Sequence, residues 1–184
     1  MTGLPLRPRA LAQAGFTLME LLITLVCGGI LLALAVPAFR TFMQNDQLWM
    51  SQSQLVMSLN AARSEAIKQD VTNAVQVCAS ADGKTCGGTW SQGWIAVNQA
   101  DPANPVVFQS MGAVPTGTTV TEASGITAVT FLPNGTANPA PVAFRICDAR
   151  GGTQARYLQV NSMGRVVSSP TVGFDLNNGA LACP

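Results

Sequence analysis

The chain of 184 residues contains no histidine. That absence removes the side chain that most often serves as a general base and as a zinc ligand. A serine–histidine–aspartate triad therefore cannot exist, and the sequence has no glycine-rich phosphate loop of the Walker type. We expect a protein that is not an enzyme and that uses neither a metal nor another cofactor.

Charged residues are also scarce, at 10% of the chain, whereas roughly 25% is usual in a soluble domain. Hydrophobic residues make up 48%, but they are unevenly distributed. The stretch 21–39 contains one clearly polar residue, Thr24, and the rest is rich in Gly, Ser, Thr, Asn, Gln and Pro. The composition therefore indicates one membrane segment and one polar, weakly charged domain.

The five cysteines fall into two classes, because Cys27 lies inside the apolar stretch and the other four lie in the polar part. A turn-like sequence separates Cys78 from Cys86, and a bond between Cys147 and Cys183 would then tie the C-terminus to an earlier strand. A metal site is the alternative, but neither pair has the spacing of a zinc knuckle. We favour disulfides, with the pairing left open, and these require an oxidising compartment outside the cytoplasm.

The N-terminus is the most informative segment. Residues 1–15 contain two arginines and no acid, and the sequence becomes apolar from Phe16 onward. A cleaved secretory signal and a plain membrane anchor both fit that pattern. Neither explains Glu20, because a carboxylate at the start of a membrane segment is costly without a positive partner. An acid favoured by the helix dipole would be a weak explanation, and it would not account for the Gly15–Phe16 junction.

The stretch 15–23, Gly-Phe-Thr-Leu-Met-Glu-Leu-Leu-Ile, resembles the class III signal of type IV prepilins and type II secretion pseudopilins. The resemblance implies that a prepilin peptidase cuts after Gly15 and that Phe16 becomes an N-methylated N-terminus. It also implies that Glu20 pairs with the N-terminal amine of a neighbouring subunit during assembly. Because an unpaired carboxylate in apolar surroundings is penalised, such a pair would favour docking in one register.

A single long helix is expected to join the apolar segment to the head. We expect the helix to continue past Pro37 with a kink, because the pattern resumes and the resembled pilins carry a proline near this place. We assign Pro37, together with Glu20, to assembly. From residue 46 to about 69, apolar residues recur on one helical face: Leu48, Leu55, Leu59, Ala62 and Ala66.

Short strand signals separated by Pro, Gly and Asn follow residue 70. The candidate strands lie within 71–77, 94–97, 106–108, 126–132, 142–147, 157–160 and 165–167. Many short strands behind one long helix predict an α+β fold. In the terms of the resemblance this is the type IV pilin fold, a transmembrane and amphipathic helix packed on a small antiparallel β-sheet head.

Four short stretches narrow the resemblance to the GspH/FimT family. These are 61–67 (Ala-Ala-Arg-Ser-Glu-Ala-Ile), 90–94, 131–135 and 164–166. That family contains minor pilins of type IV pili and a minor pseudopilin of type II secretion. The resemblance implies a subunit near the filament tip that helps to start assembly. Its partners would be other major and minor pilins or pseudopilins, the prepilin peptidase and the inner membrane.

Arginines near the C-terminus suggest an alternative function. From residue 142 onward the sequence has only two acidic residues, both aspartates, and four arginines: Arg145, Arg150, Arg156 and Arg165. A basic face can follow a phosphate backbone, and some FimT-like members resemble DNA receptors with a Gly-Arg-x-Arg motif. This chain has Gly164-Arg165-Val166-Val167, so the second arginine is missing. The alternatives are therefore a FimT-like minor pilin that binds DNA for natural transformation, and arginines that are merely solvated or ion-paired.

We expect three segments. Residues 1–15 would be the leader, 16–45 the hydrophobic transmembrane and assembly helix, and 46–184 an extracytoplasmic head whose half-helix ends at about 70. By the positive-inside tendency, the chain would cross the bacterial inner membrane once with its head in the periplasm. The predicted function is assembly or initiation of a type IV pilus or a type II secretion pseudopilus.

Overall fold

The computed structural model describes residues 15–69, 75–99, 101 and 104–183. The predicted leader up to residue 14, and the predicted strand residues 71–74, lie outside the described part of the chain. The chain divides into two compact units, Met1–Thr41 and Phe42–Pro184. The first contains the whole apolar stretch 21–39, and the second contains the head.

Helix α1 runs over Leu18–Lys68. It begins after Thr17, whose Oγ1 accepts a hydrogen bond from the backbone N–H of Glu20 at 3.2 Å. This bond satisfies one of the amide groups that have no partner in a first helical turn. Pro37 lies inside the helix, so the prediction that α1 continues past it is confirmed.

The part of α1 in the first unit exposes its apolar side chains. Large apolar residues from Leu18 to Phe39 are between 47% and 78% exposed. The helix is long and apolar enough to cross a membrane. Soluble monomers rarely expose a contiguous apolar surface of this extent. This segment therefore requires a covering that the described residues do not supply.

The second half of α1 packs against the head through one face. All five residues of the predicted apolar face are buried: Leu48, Leu55, Leu59, Ala62 and Ala66. Polar residues that the apolar pattern did not mark share this face, among them Ser58. Its Oγ accepts a hydrogen bond from the indole Nε1 of Trp94 at 2.9 Å, so both buried polar groups are satisfied.

The described part of the head contains nine strands and two short 3-10 helices at Trp90–Gln92 and Gly152–Gln154. The strands are β1 Val75–Ala79, β2 Trp94–Asn98, β3 Val106–Met111, β4 Thr118–Glu122, β5 Ala128–Phe131, β6 Ala137–Asn138, β7 Val142–Asp148, β8 Arg156–Val160 and β9 Val166–Ser168. They form two sheets, in the orders β3-β2-β1-β5-β6 and β4-β7-β8-β9. Every pairing between these strands is antiparallel, and the predicted α+β fold is confirmed.

Both sheets and α1 contribute to one core. In β1, Val75 and Val77 point to the same side because successive strand side chains alternate, and both are fully buried. Trp90 contacts Phe144 edge to face, with ring centroids 4.8 Å apart. Trp90 also donates its indole N–H to the carbonyl of Ile126 at 2.8 Å. Trp90 and Trp94 are therefore both part of the head's interior, at 4% and 1% exposed.

Two strands, β4 and β6, were not predicted. β4 has a single aliphatic side chain, Val120, among threonines and a glutamate, so it lacks a hydrophobic alternation. Threonine nevertheless favours strands because it is β-branched, and Thr118 is buried beside the core. β6 has only two residues, too few for any periodic pattern. Both strands are specified by pairing with a neighbour.

Candidate functional site

The processing and assembly residues lie at the start of α1. Gly15 and Phe16 precede the helix, and Glu20 lies in its first turn. Phe16 is 81% exposed, and Glu20 is also exposed. Glu20 has no ion-pair partner among the described residues. A carboxylate among exposed apolar side chains gains its largest stabilisation from a positive group, which here must come from outside these residues.

The four cysteines of the head form two disulfides. Cys78 is bonded to Cys86 and Cys147 to Cys183, with Cα atoms 5.5 and 6.0 Å apart. The predicted disulfides are therefore present in the structure, and their thiols are not free to bind a metal. Cys27, the remaining cysteine, is free and exposed on α1.

Each disulfide organises a loop. Within the loop closed by Cys78 and Cys86, Asp82 Oδ1 accepts hydrogen bonds from the N–H groups of Thr85 and Lys84, both at 2.8 Å. These donors hold the pKa of Asp82 well below its usual range. The Cys147–Cys183 bond fastens the C-terminal segment to β7, where Arg145 also donates to the carbonyl of Ala182 at 3.0 Å.

Two of the candidate DNA-binding arginines have partners inside the head. Arg150 donates to Asp148 through two nitrogens at 2.7 and 2.9 Å, an ion pair that largely neutralises its charge. Arg145 lies opposite Tyr157 in the β7–β8 register. Burial raises the pKa of Tyr157, with a further contribution from the charge of Asp175, while the charge of Arg145 acts in the opposite direction.

The other two arginines lie elsewhere. Arg156 is partly buried at the start of β8, where it lines a groove beside α1, and Arg165 is exposed in the turn before β9. Arg165 is near the Val142 end of β7 and Arg150 follows its other end, about 20 Å away at the usual rise of a strand. The structure therefore does not bring the four arginines into one cluster.

Arg63 belongs to the first of the four family-like stretches, and its side chain forms hydrogen bonds with two turns of the head. Its Nε donates to the carbonyl of Gly135 at 3.0 Å and its Nη2 to the carbonyl of Met163 at 3.2 Å. Gly135 ends the family-like stretch 131–135, and Met163 immediately precedes the stretch 164–166. Three stretches that are far apart in sequence therefore meet at one guanidinium. Arginine is suited to this contact because its planar fork presents several donors. We call these two hydrogen bonds, with the three stretches that they join, the Arg63 clamp.

The Arg63 clamp requires a glycine at position 164. Gly164 has a φ of +68°, and a Cβ there would overlap the carbonyl oxygen of Gly135. We expect Gly164→Ala to destabilise the head by about 3 kcal/mol, from backbone strain plus displacement of the packed turn. Chemical denaturation of the Phe42–Pro184 unit measures this loss.

Gly125→Ala is the matched control. Gly125 has a similar φ of +73°, but a Cβ there meets open space. Its expected cost is about 1 kcal/mol, from backbone strain alone. Equal losses for the two variants would contradict the steric role assigned to Gly164.

Two family models match the sequence. The family model described as Type II transport protein GspH matches residues 52–164, and the prokaryotic N-terminal methylation motif matches residues 11–36. The chain belongs to the GspH family. All three parts of the Arg63 clamp lie within or at the end of residues 52–164, the region that matches the GspH model. The short stretches that resemble this family therefore include residues whose hydrogen bonds join α1 to two turns of the head.

Solved structures agree with this assignment. The type IV minor pilin FimU of Pseudomonas aeruginosa superposes with a TM-score of 0.57 at 26% identity, covering 70% of this chain and 92% of FimU. The minor pseudopilin EpsH of the Vibrio cholerae type II secretion system gives 0.52 at 11% identity, covering 71% of this chain and 98% of EpsH. The EpsH likeness concerns the fold alone. No curated protein sequence matches the chain.

The chain is thus a member of the minor pilin and pseudopilin family, with the type IV pilin fold. The family and its structural neighbours are pilins, not enzymes. The methylation motif and the apolar N-terminal helix are those of a membrane-anchored pilin.

Proposed function

We propose that this GspH-family chain takes part in the assembly or initiation of a type IV pilus or a type II secretion pseudopilus. The observation that supports this most strongly is Glu20, a carboxylate without a described ion-pair partner in the first turn of an exposed apolar helix. The hydrocarbon interior of a membrane can cover the apolar side chains, but it offers no favourable partner for the carboxylate. A neighbouring subunit that brings a positive group satisfies both requirements.

The positive group is the N-terminal amine of a neighbouring pilin. A prepilin peptidase cuts this chain after Gly15, and Phe16 becomes the methylated N-terminus of the mature subunit. The match of residues 11–36 to the N-terminal methylation motif supports both steps. Before assembly, α1 holds the subunit in the inner membrane as a single span, and during assembly it enters the filament.

The head works outside the cytoplasm. Two disulfides support this location, because such bonds persist in oxidising compartments such as the periplasm. FimU is described as a minor pilin and EpsH as a minor pseudopilin, and we assign the same kind of role here. Its partners are the other major and minor pilins or pseudopilins of the filament.

DNA binding for natural transformation is the competing function that the sequence suggested. We do not favour it, because the four arginines lie apart and Arg150 is already ion-paired. Electrostatic binding to a phosphate backbone draws its affinity from several cations that act together.

The processing step gives a direct test. Mass spectrometry of the mature protein is expected to identify an N-terminus at methylated Phe16. Gly15→Leu is expected to block cleavage and leave a precursor that still carries its leader, because the peptidase acts at this glycine. The same change at another leader glycine, Gly3→Leu, serves as the control and should leave cleavage intact. A mature chain that begins after Phe39 would identify an ordinary signal peptide and refute the proposal.

A further inference from the structure

A groove of about 400 Å³ runs along the head beside the second half of α1. Its helical wall is a single stripe with the spacing i, i+3, i+4, i+7 and i+8: Trp49, Gln52, Ser53, Val56 and Met57. The spacing places these five side chains on one face of the helix, and three of them are apolar. Within the head, however, Trp49 is 57% and Met57 64% exposed. The head therefore covers only one side of this helical face.

The opposite wall comes from the four-stranded sheet. Arg156 of β8, Ser168 of β9 and Ser169 line it. The Nε of Arg156 is buried from solvent and has no hydrogen-bond partner among the described residues. A buried donor without an acceptor costs free energy, more so when it is charged. Among the described residues no carboxylate lines the groove, so Arg156 lies there without an ion-pair partner, beside large apolar side chains and two hydroxyls.

We infer that this groove binds a helix of a neighbouring pilin subunit, one that carries an Asp or Glu within a turn or two of a large apolar residue. The carboxylate bonds to Arg156, and the apolar side chain packs between Trp49 and Met57. The inference rests on the proposed function, which supplies the neighbouring subunit, and it names a contact in addition to Glu20.

Charge and shape together select this occupant. A guanidinium binds a carboxylate through paired hydrogen bonds and holds it in a fixed orientation. From Trp49 to Met57 the stripe is about 12 Å long at the rise of an α-helix, which suits two turns of a packed helix. Duplex DNA fits less well, because the groove presents a single arginine and a largely apolar helical wall.

In-cell photocrosslinking of the full chain tests the contact. Trp49 is replaced by p-benzoylphenylalanine, which keeps an aromatic group at the groove, and crosslinked peptides are identified by mass spectrometry. We expect a crosslink to a helical segment of a pilin subunit that contains Asp or Glu. Adding Arg156→Gln is expected to reduce this crosslink about tenfold, as for loss of a charged hydrogen-bonded pair.

Three controls accompany that experiment. Arg165→Gln makes the same change at an exposed arginine in the turn between β8 and β9 and should leave the crosslink unchanged. Arg156→Lys keeps the charge and should retain most of it. Pairing Arg156→Glu with an Asp- or Glu-to-Arg change in the crosslinked segment should restore the contact, which a merely misfolded head would not allow. Non-reducing peptide mapping checks that both disulfides are intact in each variant.

Several outcomes would overturn the inference. These are a crosslink that Arg156→Gln does not reduce, one to a segment without a carboxylate, or one only to lipid or nucleic acid. If any of them occurs while Glu20→Gln still blocks assembly, the groove proposal fails and the proposed function stands. If filaments incorporate the Glu20→Gln variant normally, the proposed function itself fails.

Discussion

Glu20→Gln is expected to abolish incorporation of this chain into filaments while membrane insertion and leader cleavage proceed normally. Glutamine is nearly isosteric, and the backbone N–H of residue 20 can still donate to Thr17 Oγ1, but the amide has no charge to offer a neighbour's ammonium. Breaking a buried ion pair by removing one partner typically costs about 3–5 kcal/mol. The docking equilibrium should therefore weaken by roughly a hundredfold or more.

The measurement compares the chain in sheared filament or pseudopilus fractions with the chain in membranes, by immunoblot. Asp46→Asn is the matched control, since Asp46 is an exposed acid on the same helix but lies beyond the apolar stretch. It should assemble like the wild type. Equal incorporation of the Glu20→Gln variant and the wild type would show that the carboxylate does not control docking.

Removal of the Cys147–Cys183 disulfide is expected to cost the head about 4 kcal/mol, against about 2.5 kcal/mol for Cys78–Cys86. The two bonds join residues 36 and 8 positions apart, and the longer loop loses more entropy when it is closed in the unfolded chain. Double alanine variants of each pair, denatured chemically as the Phe42–Pro184 unit, give the two free energies of unfolding.

The two pairs control for each other. Cys78 and Cys147 are almost equally buried, at 1% and 2% exposed, whereas Cys86 is exposed and Cys183 is half-buried, so the loss of buried sulfur differs only at the second cysteine of each pair. A larger loss for the Cys78–Cys86 variant would mean that contacts in the folded state, such as the Asp82 loop, outweigh loop closure. The longer bond should also matter more for the tail, because it fixes the C-terminal segment to β7.

Much of the fold could be predicted where a residue pattern repeats. The face of α1 from Leu48 to Ala66 is buried as its spacing indicated, because helical periodicity and burial report the same geometry. β4 and β6 were missed for the opposite reason. Their residues carry little periodic signal, and they become strands only because β7 and β5 lie beside them.

Among the candidate sites, the N-terminal motif could be predicted from the sequence, and the arrangement of the arginines could not. The N-terminal stretch from Gly15 to Glu20 could be recognised because its chemistry is local, a short ordered motif with one costly carboxylate. For the C-terminal arginines, the sequence shows their number and order but not their positions in space. Their positions depend on strand register, which separates Arg165 from Arg150 by the length of β7. Charge totals along a sequence cannot reveal such a separation.

The sequence by itself determined that this chain has a prepilin-like N-terminus, a helix with an apolar half and an amphipathic half, and a cysteine-bearing β-rich head. Each of these is a property of neighbouring residues. Only the tertiary structure decided that Arg63 joins turns 72 and 100 residues away, and that Arg156 lies in a groove beside Trp49. Such contacts join residues that are distant in sequence, so they exist only after the chain has folded.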